Sequence, residues 1–263
     1  MRRTLNVLKE IAVIWGAETR RSVRSGRAVV LLGLYTLFAA FVLVVVGAFF
    51  SQVTQGNPDL QGLTDMPPIV LVVFKVNLFF LPAYVALMGF DQISGEVGTR
   101  SIRYLTLRAR LSALLIGKFL VQATLLLGLV LIIDLGIFVY AKITTPGFTF
   151  SSLLLNLLKV WGATTVFSLA YVALTTFCSS VERSSAVSLV FNFILLFIFW
   201  LMDFAGGFAT SAVRYIRYLS PSFYSSNLLS SDPSEFGVSG LAYAVFTLVF
   251  LGGAYAILRA RDL

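Results

Sequence analysis

The side chains that could do chemistry in this chain are few, and several lie inside apolar sequence. Lys75, Asp134 and Lys159 interrupt long hydrophobic runs, and Asp203 stands near the end of another. The chain has no histidine, which removes the usual general acid or base at neutral pH. Cys178 is the only cysteine, so an internal disulfide is impossible and a soft-metal site is poorly supported. We therefore expect no catalytic centre and no metal or cofactor held by this chain.

The composition indicates whether water or lipid surrounds the protein that carries these charges. Of 263 residues, 58% are hydrophobic and 12% are charged, whereas soluble domains carry about 25% charged residues. A soluble chain this apolar could not cover its core, but a bilayer solvates apolar outer faces. The net charge of +8 collects at the ends of apolar runs, which is typical of membrane proteins and not of a nucleic-acid-binding patch. We predict an all-α integral membrane protein that contacts lipid and no nucleic acid.

Six apolar runs are long enough to cross a hydrocarbon layer of about 30 Å. Residues 1–27 precede them and are basic, with apolar residues at helical spacing, which predicts an amphipathic interfacial helix. Residues 206–240 keep a helical rhythm until Pro221 and predict a short amphipathic or re-entrant hairpin outside the membrane. Residues 28–263 are predicted to form one transmembrane domain, with spans at about 28–50, 69–90, 120–140, 153–178, 186–204 and 241–258.

The distribution of basic residues predicts the orientation. Fifteen lysines and arginines flank the spans on one side and three, Lys142, Arg214 and Arg217, on the other. By the positive-inside rule both termini are cytoplasmic, which requires an even number of spans, and we expect the cytoplasmic (inner) membrane. The fifteen are Arg2, Arg3, Lys9, Arg20, Arg21, Arg24, Arg27, Arg100, Arg103, Arg108, Arg110, Lys118, Arg183, Arg259 and Arg261.

The charges within the spans are predicted to share one depth. Lys75, Asp134 and Lys159 each fall about six to eight residues from the outer end of a span, roughly 10 Å below the outer surface. An unpaired charge at the bilayer centre costs about 3 kcal/mol or more. We therefore expect a cluster in which Asp134 pairs with Lys75 or Lys159, with Asp203 near the outer end. Two interpretations stand: an outer gate or polar patch on a substrate path, or snorkelling lysines with a structural ion pair.

Residues 91–118, between the second and third spans, form the most informative stretch. The sequence DQISGEVGTRSIRYLTLRARLSALLIGK is too charged to cross a membrane and too apolar to be a loose loop. It predicts a short helix lying along the membrane, in which Gly95 and Gly98 allow a close backbone approach or a break. The predicted apolar side holds Ile93, Val97, Ile102, Tyr104 and Leu105, and the arginines that would meet headgroups or an acidic partner are Arg100, Arg103, Arg108 and Arg110.

This segment resembles permeases of the ABC-2 transporter type, in particular the branch grouped with multi-copper-enzyme-maturation and gliding-type permeases. The stretch Leu219-Ser220-Pro221 resembles that family's segment before the last span, and the ending Arg261-Asp262-Leu263 resembles its tail. One departure is Ala109-Arg110, where the family commonly has a proline after the short helix. The residues that carry the resemblance are Asp91, Gly95, Glu96, Gly98, Thr99, Arg103, Tyr104, Leu105, Gly117 and Lys118.

The resemblance implies a transmembrane subunit of an ATP-driven exporter. In such permeases a cytoplasmic coupling helix between the second and third spans sits in a groove of a separate ATPase subunit and passes its movement to the spans. The implied partners are this ATPase, which would bind ATP and Mg²⁺, and a second permease copy, identical or related. The implied coupling residues are Asp91, Gly95, Glu96, Gly98, Thr99, Arg100, Arg103, Tyr104 and Leu105.

Nucleotide hydrolysis by the chain itself is not expected. Gly117-Lys118 looks like the end of a phosphate-binding P-loop, but Ser112 stands where the first glycine would be and Phe119 replaces the Ser or Thr. Two other functions stay open, and the cargo is not predicted. One is a membrane scaffold that anchors a multiprotein complex. The other is an ion-coupled transporter that uses Lys75, Asp134 and Lys159.

Overall fold

The structure, a computed structural model, describes most of the chain. The described residues are 2–56, 67–102, 104, 107, 109–144, 149–208, 212–230 and 232–261. Several residues named above lie outside these ranges, so the predictions made for them are not compared with the structure. They are Arg103, Leu105, Arg108, Asp262 and Leu263.

The described regular structure is helical, as the apolar runs predict. Four helices precede or form the first half of the transmembrane domain: α1 (Arg2–Val23), α2 (Gly26–Gly56), α3 (Pro68–Gly89) and the short α4 (Ser94–Gly98). Four longer helices complete it: α5 (Leu111–Thr144), α6 (Phe150–Val181), α7 (Ser185–Phe208) and α8 (Pro233–Ala260). Two 3₁₀ helices, Ala212–Leu219 and Pro221–Asn227, connect α7 to α8.

Five helical stretches of the described chain are long and apolar enough to cross a membrane. They are Val70–Gly98, Leu111–Thr144, Phe150–Val181, Ser185–Phe208 and Ser234–Ala260. The region predicted as the first span is also helical, but its apolar part is a shorter stretch, Val29–Val45, within α2. The multi-pass, all-α membrane class is confirmed, and the number of six spans stays a prediction.

Helix α6 lies at the centre of the described core. Its residues Phe167, Tyr171 and Leu174 are buried, and it packs against α8, α5, α3 and α7. Helix α7 instead presents a row of exposed aromatic rings, including Phe197, Trp200 and Phe204. An apolar outer face around a buried core is what a lipid-solvated bundle requires.

The helix ends differ from the predicted span ends in a way that matters for the connection between α3 and α5. Helix α5 begins at Leu111, so the last part of segment 91–118 is its first two turns. The predicted hairpin at 206–240 is likewise shorter, because α8 begins at Pro233. Asp232 caps α8 by accepting from the Ser234 backbone N–H, and this hydrogen bond holds the pKa of the Asp232 carboxyl below its usual value.

Candidate functional site at the α3–α5 connection

The connection between α3 and α5 is packed into the protein by its apolar side chains. Ile93, Val97 and Ile102 are buried in one small cluster with Leu114 of α5 and Leu258 of α8. Tyr104 is 74% exposed, so the prediction that it shares this apolar side is wrong. The physical reason is a change of chain direction after α4, where Arg100 takes a φ of 57°, in the left-handed region that favours glycine.

Backbone contacts hold the start of the connection against the end of α6. The Ser179 hydroxyl oxygen accepts hydrogen bonds from the backbone N–H groups of Ile93 and Ser94, each at 2.9 Å. Gly98 lies against the turn between α6 and α7, and a Cβ at this position would come within 2.6 Å of the Arg183 carbonyl oxygen. The close approach predicted for the two glycines is therefore made by Gly98, whereas a Cβ on Gly95 would have no neighbour nearer than 3.6 Å.

Lys118 links the connection to α1 and α5. Its side chain is 6% exposed, and its Nζ lies 2.7 Å from Glu96 Oε1 and 3.6 Å from Glu18 Oε1. The Gln92 side-chain amide donates to the Lys118 carbonyl oxygen. An ammonium group this buried is stable only when it is paired, and here two carboxylates from separate segments supply the pairing.

Helix α1 rests along the first half of α5. Ile14 packs onto Gly117, where a Cβ would come within 2.7 Å of the Ile14 side chain. The Trp15 indole N–H donates to Thr124 Oγ1 at 3.1 Å, and the Arg110 backbone N–H donates to Glu10 Oε2 at 3.3 Å. The amphipathic helix predicted at residues 1–27 thus has one face packed on the transmembrane domain.

The other predicted coupling residues divide into inward and outward groups. Asp91, Gly95 and Glu96 line a cavity of the protein. The Thr99 hydroxyl donates to the Gly95 carbonyl oxygen at 2.9 Å and so closes the end of α4. The outward residues of this set are Arg100 and Tyr104, and Tyr104 also borders the same cavity with a side chain that is 74% exposed. Leu107, which follows them in the chain, is 84% exposed.

The charges inside the spans do not pair as predicted. Asp134 is buried and close enough to the Tyr35 hydroxyl to interact electrostatically, but Lys75 and Lys159 both lie on exposed faces of their helices. No ion pair joins Asp134 to either lysine among the residues described here, so this predicted pairing is wrong. The helical phase is the reason, because it turns both lysines away from the interior that Asp134 occupies.

Asp203 also has a partner that the sequence did not indicate. Its carboxylate lies 3.5 Å from the Arg217 guanidinium, which in turn stacks 4.2 Å from the ring of Phe223. This pair ties the first 3₁₀ helix to the end of α7.

One family model matches nearly the whole chain. Residues 12–263 match the family described as ABC-2 family transporter protein. The chain belongs to the ABC-2 family. No curated protein matches it. An ABC-2 permease is a membrane component of a transporter, so the predicted class of function is confirmed at this level, and the multi-copper-enzyme-maturation or gliding-type branch stays a prediction.

The two other stretches that resemble the ABC-2 family make hydrogen bonds to neighbouring helices. Ser220 donates to the Phe199 carbonyl oxygen of α7 at 2.8 Å, and the Tyr243 hydroxyl of α8 donates to the Pro221 carbonyl oxygen at 2.7 Å. At the other end of the bundle the Arg261 guanidinium donates to the Val181 carbonyl oxygen, and burial lowers the pKa of Arg261. Both stretches therefore fix α8 against its neighbours.

Sequence reasoning missed the roles of three residues that hold the α3–α5 connection. Lys118 was counted as a topology signal and as part of the family resemblance, and Ser179 and Glu18 were given no role. The signal for Lys118 was available, because a lysine within the first turns of an apolar helix must find a carboxylate. Nothing in the sequence indicated that Ser179, some 85 residues away, would accept from the Ile93 and Ser94 backbone.

Proposed function

We propose that this chain is the transmembrane subunit of an ATP-binding cassette exporter, driven by ATP hydrolysed on a separate ATPase subunit. ABC-2 family membership over residues 12–263 supports a permease of this kind. In the proposal, ATP and Mg²⁺ are bound by the ATPase, and this chain moves the substrate outward across the cytoplasmic membrane. A second permease copy supplies the other half of the pathway.

The observation that carries the proposed coupling is that one side of the α3–α5 connection is packed into the protein and the other side is exposed. Its inner side is fixed by Ile93, Val97 and Glu96, while Tyr104 and Leu107 remain exposed. Exposed aromatic and aliphatic side chains beside an arginine are the composition of a protein-binding hot spot. The proposed ATPase contact is therefore made by Arg100, Tyr104 and Leu107, and Glu96 supports it from inside.

Movement of this contact would reach the transmembrane helices along two routes. The Ser179 hydrogen bonds lead to α6, the central helix, and the Lys118 ion pairs lead to α5 and α1. Closely packed helices move as rigid bodies in small steps, so a shift at the connection would move these three helices together. This is the mechanical basis of the proposal.

The proposed topology has six spans and cytoplasmic termini. Helix α2 has 31 residues and is about 46 Å long, and in the proposal its described apolar part, Val29–Val45, lies within the hydrocarbon layer. The connection between α3 and α5 and the turn between α6 and α7 then share the cytoplasmic side with α1. The exposed Lys75 and Lys159 would snorkel toward the outer headgroups, and buried Asp134 would remain as a polar patch between α2, α3 and α5.

The proposal is tested by purifying the full chain from its native membrane and assaying ATP hydrolysis. We expect an ABC ATPase to accompany the wild-type chain and the Phe150→Ala variant. Tyr104→Ala should weaken the association about tenfold, because it removes an exposed aromatic anchor. Phe150 is a matched control, since it is 72% exposed at the opposite end of the bundle. Absence of any ATPase, or transport driven by an ion gradient without ATP, would overturn the proposal.

A further inference from the structure

Helix α1 turns both of its carboxylates toward the start of α5. Residues 1–27 hold seven basic residues and two acidic ones, Glu10 and Glu18. Glu10 Oε1 lies 3.9 Å from the Arg110 guanidinium, and Glu18 Oε1 lies 3.6 Å from Lys118 Nζ. The negative charge of this helix is therefore engaged in ion pairs on the side that packs against the transmembrane domain.

The other side of α1 carries basic side chains that the described protein leaves uncovered. Lys9, Arg20 and Arg24 are exposed, and no ion pair involves them among the residues that the structure describes. Lys9 and Arg20 are eleven residues, or about three turns, apart and so lie on one side of α1, while Arg24 directly follows its last residue. Gly16 lies on the same side, and a Cβ there would have no neighbour within 4 Å. We call the three cations the basic face.

An exposed apolar strip adjoins the basic face. It consists of Leu8, Trp15 and Val23. The Trp15 indole N–H donates to Thr124 Oγ1, which lies thirteen residues into α5 and so about 20 Å from its start. Because α5 runs into the membrane in this direction, the contact turns the apolar strip toward the hydrocarbon and leaves the basic face nearer the membrane surface. Apolar and basic strips side by side are typical of helices that lie in a membrane interface.

The chain leaves α1 at the depth of the lipid headgroups. Helix α2 begins at Gly26 and its apolar stretch begins at Val29, a rise of about 5 Å along the helix. The headgroup layer on each side of a bilayer is about 5–8 Å thick. With Val29 at the edge of the hydrocarbon, Gly26 lies within that layer, and Arg24 precedes it by two residues. The basic face is therefore within reach of lipid phosphates.

We propose that the basic face of α1 binds the headgroups of anionic phospholipids. Arginine matches the geometry of a phosphate group with two N–H donors, and lysine contributes a point charge. Each lysine or arginine near an anionic membrane surface strengthens binding by about fivefold. Lipid bound on this side, with Glu10 and Glu18 held on the other, fixes α1 between the bilayer and the start of α5.

The C-terminal end of α1 gives Arg20 a second favourable interaction that does not involve lipid. Arg20 lies in the last turn, where a positive charge interacts favourably with the helix dipole. This contribution is the same in a neutral and in an anionic bilayer, whereas headgroup binding requires the anionic one. A comparison of two bilayers therefore separates the two roles.

This inference goes beyond the proposed function and shares with it only the placement of α2 in the membrane. The test contains no ATPase and uses bilayers with the same lipids in both leaflets, so it does not depend on the orientation. Its failure would leave the proposed ATPase association untouched. Loss of that association would likewise leave the lipid contact standing.

The test measures hydrogen exchange of residues 8–24 by mass spectrometry in the full chain. The chain is placed in nanodiscs of phosphatidylcholine alone or of equal parts phosphatidylcholine and phosphatidylglycerol, with identical acyl chains. We expect the anionic bilayer to slow exchange in this segment by about tenfold or more, because three cations contribute. High salt should reduce the slowing, since it screens exposed charges. Equal exchange in both bilayers would overturn the proposal and favour an acidic protein surface as the occupant of the basic face.

Two triple variants with the same loss of charge assign the effect to the basic face. Replacing all three of its cations by glutamine should abolish the slowing, since the packed side of α1 is unchanged. The control replaces three exposed cations of other elements by glutamine and should keep it. These control positions are Lys75, Lys159 and Arg214. Slowing that survives the first variant, or that the control loses equally, would overturn the assignment.

A single variant keeps the test decisive if the triple variant of the basic face does not fold. Arg24→Gln lies outside α1 and leaves every described contact of that helix in place. It should reduce the slowing by about fivefold. Exchange in the anionic bilayer that is the same in Arg24→Gln and in the wild-type chain would contradict the proposed headgroup contact.

Discussion

At the residue scale, Lys118 joins three segments of the chain through one buried ammonium group. Its partners, Glu96 and Glu18, are themselves mostly covered, with side chains 18% and 24% exposed. Such a group stabilises the fold only while its partners remain, because an uncompensated buried charge is costly. This geometry makes Lys118 a positioning residue for the proposed coupling contact.

Replacing Lys118 should therefore destabilise the protein more than replacing a comparable exposed cation. Lys118→Met leaves two carboxylates without their cation and should lower the free energy of unfolding by about 3 kcal/mol. Arg110→Met is the control, because Arg110 lies 3.9 Å from Glu10 but is 48% exposed, and it should cost less than about 1 kcal/mol. Unfolding in mixed micelles measures both. Equal losses would contradict the role given to burial.

Ser179 offers a second test at the same scale. Ser179→Ala deprives the backbone N–H groups of Ile93 and Ser94 of their acceptor and should cost about 2 kcal/mol. The neighbouring Ser180 donates to the Phe177 carbonyl oxygen within its own helix, so Ser180→Ala should cost less than about 1 kcal/mol. Thermal unfolding of the two variants checks this order, and a reversed order would rule out the proposed link to α6.

Sequence reasoning reached only part of the site at this scale. It singled out Gly98 as a glycine that allows a close approach and Glu96 through the family resemblance, and both make close contacts in the structure. It predicted an ion pair between Asp134 and a lysine, because the sequence shows that these residues lie at a similar depth along their helices. The side of the helix on which a partner lies cannot be read so directly when helices are apolar all round.

At the scale of elements, α4 is positioned by one close approach between backbones. The Gly98 Cα faces the Arg183 carbonyl oxygen, and this contact sets the distance between α4 and the start of α7. Gly95, one turn earlier, faces the Ser185 hydroxyl with ordinary van der Waals space. Because only Gly98 makes a close contact, Gly95 in the same short helix serves as its control position.

Gly98→Ala should disturb the connection, whereas Gly95→Ala should be tolerated. The new methyl group at 98 would lie 2.6 Å from a backbone oxygen that cannot rotate away, and overpacking of this kind costs about 1–3 kcal/mol. A methyl group at position 95 would lie 3.6 Å from its nearest neighbour, and alanine favours a helix more than glycine does. Thermal unfolding and ATP hydrolysis by the ATPase complex are the measurements. A tolerated Gly98→Ala would contradict this packing.

The helices themselves were easier to predict than their faces. Long apolar runs fix the existence of α3, α5, α6, α7 and α8, because only helices satisfy the backbone inside lipid. The sequence also predicted an amphipathic α1. It did not predict that Ile14 would pack on Gly117, because the apolar spacing within residues 1–27 indicated only a contact with the membrane.

At the scale of the whole molecule, orientation decides whether the α3–α5 connection can meet an ATPase. The bundle has two ends: one carries α4, Arg183 and Arg261, and the other carries Phe150 and the 3₁₀ helices. The excess of basic residues at the first end supports the proposal that this end faces the cytoplasm. The family match identifies a transporter component and leaves this orientation as a proposal.

Cysteine labelling tests the orientation without altering the native cysteine. Cys178 is fully buried, so a membrane-impermeant maleimide should not reach it in intact cells. Phe150→Cys should be labelled from outside, and Tyr104→Cys only after the membrane is opened. Both original side chains are exposed by similar fractions, 72% and 74%, so access differs only by membrane side. Labelling of Tyr104→Cys in intact cells would reverse the topology.

The central claim is that movement of an ATPase subunit is transmitted to this chain through the exposed side of the α3–α5 connection. Site-specific crosslinking tests this claim most directly. A photo-reactive amino acid is placed at Leu107, which is 84% exposed, and at Phe150 as the control. We predict that position 107 crosslinks to a polypeptide with a P-loop and ATPase activity, and that position 150 does not. Crosslinks from position 107 that never reach a nucleotide-hydrolysing protein would contradict the claim.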